Sequence, residues 1–80
     1  MNMTAHGLTA KQNHTLSARE MECLLAVAAG LTTKQVAREL GIAPGTVEKR
    51  LLAATTKLGV TRRAALVVEA FRQGLISFGV

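Results

Sequence analysis

The 80-residue sequence contains no tryptophan, no tyrosine, one proline and one cysteine, and its only aromatic residues are Phe71 and Phe78. So few aromatics exclude a base-stacking platform of the kind that reads single-stranded RNA. They also argue against an all-β sandwich, whose strands favour aromatic and β-branched residues. The lone Cys23 excludes an intramolecular disulfide framework and a multi-cysteine zinc site, and points to a reducing, cytoplasmic setting. No stretch approaches the roughly 18 apolar residues of a membrane span. The opening MNMTAHGLTAKQNHT lacks the apolar run of a signal peptide. No serine–histidine–acid set, phosphate loop or glycine-rich fingerprint is present, and His6 and His14 do not combine with Cys23 at metal-ligand spacing. The expectation is a protein that is not an enzyme and holds no cofactor or metal.

What is present is apolar content and positive charge. Apolar residues make up 49% of the chain, enough for a core rather than a disordered tail. A domain this small is marginal alone, and a second subunit is a common source of stability. Ten Lys and Arg oppose five Asp and Glu, for a net charge of +5. Such an excess points first to nucleic acid; simple solubility is the other reading.

Residues 1–15 are polar without a helical stripe and read as a flexible arm. His6, Lys11 and His14 there are either backbone contacts or part of an unordered terminus. Ser17 and Glu20 form a capping box, and Met21, Leu24, Leu25 and Ala28 follow at helical spacing, predicting a first helix over Ala18–Ala29. Thr32 and Gln35 form a second box, followed by Val36, Ala37 and Leu40, with Gly41 as the exit. Pro44 suits a first helical turn. Val47, Leu51, Ala54 and Leu58 then make one buried stripe, predicting a third helix over Pro44–Leu58. Thr61 is the expected cap of a fourth helix, with Ala64, Val67, Val68, Phe71 and Leu75 as its buried stripe. LISFGV follows as an apolar tail. The fold class expected is all-α, a four-helix bundle without strands.

A short helix, a tight glycine-containing turn and a longer basic helix read as a helix-turn-helix. In that geometry the first helix braces across the DNA backbone and the second enters the major groove. From Thr32 to Leu58 five basic residues face two acidic ones, so +3 of the chain's +5 lies in this pair.

The segments ARE (18–20), KQVA (34–37), LGI (40–42), TV (46–47) and KLGV (57–60) occur in an order and spacing that resembles the LuxR-type (LuxR/FixJ) DNA-binding domain over residues 16–76. The domain is assigned to residues 16–80. AFRQGLI (70–76) and Ala54 resemble the quorum-sensing branch more than the response-regulator branch. No ligand or phosphoacceptor domain accompanies the motif, so the chain resembles a stand-alone member. The family's usual N-cap serine before the third helix is Ala43 here, its common asparagine is Ala53 and its common histidine is Arg50.

The stripe of the third helix leaves Gly45, Glu48, Lys49, Leu52 and Ala53 facing outward toward bases. Lys49 reads as a donor to guanine or as a phosphate contact. Glu48 reads as an acceptor from a cytosine amino group or as the ion-pair partner of Lys34 or Arg38. Leu52 reads as a thymine-methyl contact or as the edge of the core. Lys34, Thr46, Arg50 and Lys57 match family positions that contact phosphates, as the resemblance implies. Thr32 and Thr33 sit where amides and hydroxyls can hold a phosphate; capping is their other role. Gly45 lets the backbone approach DNA, or serves as a turn residue. The resemblance also implies dimerisation through the fourth helix, assigned to Ala65, Leu66, Glu69 and Arg72.

The function expected is a transcriptional regulator that reads an inverted repeat in double-stranded DNA as a homodimer, without a membrane. The alternative is a small antagonist that pairs with a larger LuxR-type regulator through the fourth helix. A third reading, an RNA-polymerase-contacting factor, fits the residues after Gly59 less well.

Overall fold

The computed structural model describes residues 3–11 and 13–79. Four helices form most of it: α1 (Ala18–Ala28), α2 (Thr33–Leu40), α3 (Pro44–Leu58) and α4 (Arg63–Arg72). Three short strands, β1 (Met3–Ala5), β2 (Leu8–Ala10) and β3 (Ile76–Phe78), make one antiparallel sheet in the order β1-β2-β3. The architecture is therefore mostly helical and not all-α.

The helices begin and end where local chemistry directs. Ser17 Oγ accepts from the Glu20 amide while Glu20 Oε1 accepts from the Ser17 amide. Thr32 and Gln35 repeat this exchange at α2, so each box satisfies two amides that lack helical partners. Pro44 occupies the first turn of α3, and Gly59, at φ 74°, terminates it in the left-handed conformation that glycine adopts without steric cost. Ala43 caps α3 with no side-chain bond. The cap of α4 is Arg62, also without a side-chain bond, rather than Thr61.

The strands correct the reading of residues 1–15 as an unordered arm. His6 and Gly7 both have positive φ, 56° and 74°. A two-residue loop of that kind matches the twist of the strands it joins, and histidine is among the side chains that tolerate the conformation. Leu8 and Ala10 turn inward from β2, and Ile76 meets them from β3. The apolar tail thus becomes a strand because the hairpin offers it an edge. Lys11 N donates to Leu75 O at 2.8 Å and Gly79 N to Gly7 O at 2.7 Å, closing the sheet at both ends. Residues 1, 2 and 12 of the expected arm, and Val80, lie outside the described residues.

The core runs through all four helices and the sheet, with Cys23, Leu24, Leu25, Val36, Val47, Leu66 and Ile76 fully enclosed. The stripe of α3 is as expected: Val47, Leu51, Ala54 and Leu58 are buried. That of α4 is not. Leu66 and Ala70 are its buried residues, while Ala64 and Val68 are exposed and Val67 and Phe71 half-buried.

Candidate nucleic-acid interface

The outer face of α3 follows from its inner one. With Val47, Leu51, Ala54 and Leu58 turned inward, Gly45, Glu48, Lys49, Leu52 and Thr56 are exposed, and Ala53 is half-buried. Leu52 is 68% exposed, so it is not an edge of the core. Its carbonyl accepts hydroxyl bonds from Thr55 at 2.6 Å and Thr56 at 3.0 Å, which satisfies both hydroxyls within the helix. Thr46 and Arg50 are half-buried on the flanks.

Thr32 is committed to its cap, whereas Thr33, the first residue of α2, directs its hydroxyl toward α3. Thr33 Oγ1 donates to Glu48 Oε1 at 3.3 Å, and Arg63 Nη2 donates to both Thr33 Oγ1 at 3.1 Å and Glu48 Oε2 at 2.7 Å. Glu48 is therefore ion-paired, but with Arg63 of α4 rather than with Lys34 or Arg38. Sequence reasoning missed Arg63. The run Thr61-Arg62-Arg63 places two arginines at the start of α4, and only the helix's phase selects the one that reaches back to α3.

Lys57 stands apart from the other cations assigned to phosphates. Its ammonium donates to Glu20 Oε1 at 2.8 Å, tying the last turn of α3 to the first turn of α1. Glu20 is buried. Burial alone would raise its carboxyl, but the bond from Lys57, the Ser17 amide and the Lys57 charge together hold it below the ordinary carboxylate value. This bridge links the end of α3 to the start of α1 and engages Lys57 with a carboxylate. Cys23, fully enclosed, has its thiol pushed up by burial and by the neighbouring Glu22, as suits an inert core cysteine. His6, expected free in the arm, bonds instead through Nε2 to Glu39 of α2 at 2.7 Å.

Among the described residues the five glutamates are all engaged. Glu20, Glu22, Glu48 and Glu69 each meet a Lys or Arg side chain within 3.4 Å, and Glu39 meets the His6 imidazole, which is charged only when protonated. Among the described residues, the cations without a carboxylate partner are Lys11, Lys34, Arg38, Lys49, Arg50 and Arg62. Four of these six lie on α2 and α3.

The residues assigned to a dimer contact fare unevenly. Leu66 is fully buried against the core and cannot face a second copy. Glu69 pairs with Arg72 at 3.1 Å and accepts from Gln73, and Ala65 is half-buried. The exposed apolar face of α4 is a different one. Ala64, Val68 and Phe71 line it, and Phe78 of β3 packs on Phe71 with ring centroids 5.2 Å apart. Val68 is 57% and Phe78 77% exposed.

Residues 14–70 match the family model GerE, bacterial regulatory proteins of the luxR family. A probable transcriptional regulatory protein NarL of Mycobacterium tuberculosis is 48% identical over 61 residues, covering 76% of this chain and 28% of that protein. The transcriptional regulatory protein YdfI of Bacillus subtilis is 35% identical over 68 residues, 84% of this chain and 32% of that protein. The chain thus spans about a third or less of the length of these curated relatives. Among solved structures, the response regulator ChrA of a heme-sensing two-component system superposes with a TM-score of 0.74 at 40% identity, over 81% of this chain and 32% of that one. The transcription factor GerE gives 0.73 at 29% identity, over 78% and 92%. These relatives do not support the quorum-sensing branch read from AFRQGLI and Ala54; the resemblance lies on the NarL and response-regulator side.

Proposed function

This chain belongs to the luxR family of bacterial regulatory proteins and carries the DNA-binding domain of a transcriptional regulator; we propose that it reads an inverted repeat as a homodimer, with α3 in the major groove. The observation that carries this reading is the charge arrangement. Among the described residues, four of the six Lys and Arg side chains without a carboxylate partner sit on the two helices of the helix-turn-helix. The major groove admits one α-helix and displays a distinct donor and acceptor pattern for each base pair. Lys49 and Leu52 stand where such a helix meets base edges, and Glu48 beside them. Lys34, Arg38 and Arg50 flank them, where phosphates run.

One domain of this size reads only a few base pairs. Two copies related by a two-fold axis read half-sites about one helical turn apart. The apolar face of Ala64, Val68, Phe71 and Phe78 is the surface on which the second copy docks.

Selection from a random duplex pool with the purified protein at physiological salt tests this. Enrichment of an inverted repeat is expected. Lys49→Ala should then relax the preference at one position per half-site, while Lys34→Ala should weaken all sequences alike. Equal weakening of every sequence by both changes would remove Lys49 from the base-reading set. A folded protein that enriches nothing would favour the antagonist reading, with a longer luxR-family protein on the same α4 face.

A further inference from the structure

We infer that Arg63 is a positioning residue for sequence reading: from the start of α4 it holds the carboxylate of Glu48 in one orientation on the groove face of α3. The inference rests on the DNA-reading role proposed above and names a residue in it that touches no base.

A carboxylate on a DNA-facing helix has two difficulties. Phosphates repel it, and a flexible glutamate has no fixed direction. The Thr33–Glu48–Arg63 cluster answers both. Arg63 Nη2 lies 2.7 Å from Glu48 Oε2 and supplies the opposite charge locally. The Thr33 hydroxyl, itself accepting from Arg63, takes the other oxygen, so three helices fix one side chain. An ionised carboxylate offers about four acceptor positions; two are filled, which leaves acceptor capacity for a cytosine amino group. The pair is open to a duplex, the Glu48 side chain being 56% and that of Arg63 42% exposed. An isolated exposed ion pair adds little stability, so stability alone gives this cluster little purpose.

The test is the same duplex selection run on the full chain as wild type, Glu48→Ala, Arg63→Ala, Arg63→Lys and the Glu48→Ala/Arg63→Ala double variant, each checked for its melting transition. The wild type should prefer a cytosine at one position per half-site. Glu48→Ala and Arg63→Ala should each lower that preference about tenfold, and the double variant should lower it no further. Arg63→Lys keeps the charge, and so the affinity for random duplex, but loses the planar guanidinium and with it the preference. Should Arg63→Ala fail to fold, the lysine variant decides alone. Preference unchanged in the folded Arg63 variants, with all affinities lowered or only the melting temperature moved, would overturn the inference and leave the DNA-reading role intact. A wild type that enriches no sequence would overturn both.

Discussion

Glu20 does the work of two residues. It closes the capping box of α1 and receives Lys57 from the end of α3. Its folded carboxyl lies below the ordinary value, so the stability it contributes is present above the unfolded pKa and is lost as pH falls through the lower, folded one. Glu20→Gln should cost about 1–2 kcal/mol at neutral pH and flatten the loss of stability below about pH 4.5, read from chemical denaturation across pH. Lys57→Ala should cost less, because its ammonium is half open to solvent. The two capping boxes were legible in the sequence because each is a local pattern with a local cause. The Lys57 bridge was not, since no spacing rule connects positions 37 residues apart. Glu48 was half legible: its exposed place on α3 followed from the helical period, but its partner comes from another helix.

At the scale of elements, α3 was read to its ends because Pro44 and Gly59 mark them and one clean stripe runs between. The helix α4 was located but phased wrongly. Ala64-Ala65-Leu66-Val67-Val68 is apolar on every side, so periodicity does not choose the inner face; packing against α1 and α3 does, and it takes Leu66 and Ala70. The strands were missed because three residues are too few for an alternation to register, and His6-Gly7 lacks the asparagine or aspartate that signals a tight hairpin. The two faces of α4 should separate in experiment. Leu66→Ala should lower stability by about 2–5 kcal/mol in thermal or denaturant unfolding. Val68→Asp should leave the unfolding midpoint of the monomer nearly unchanged and reduce self-association in sedimentation velocity.

The whole molecule carries its net charge unevenly. Among the described residues, Lys34, Arg38, Lys49 and Arg50 of α2 and α3 have no carboxylate partner. If Lys34, Arg38 and Arg50 of two protomers each displace a counterion, log K against log salt should fall with a slope of about −5, measured by fluorescence anisotropy on a labelled duplex. Replacing Arg38 with Ala should make that slope shallower by about 2 for a dimer, one unit per copy. A slope near zero would remove these cations from the interface.

The same small sheet that sequence periodicity concealed brings the two ends of the fold together. β1 and β3 flank one central strand, which puts Met3 and Gly79 on the order of 15 Å apart by strand spacing and rise. Topologically the domain is nearly a closed ring with one seam. A head-to-tail covalent join across that seam would need only a short linker and would disturb no helix. By removing loop-closure freedom from the unfolded chain, it should raise stability by up to about 4 kcal/mol. The circular protein should still present α3 as before, because the seam lies in the sheet, away from α3.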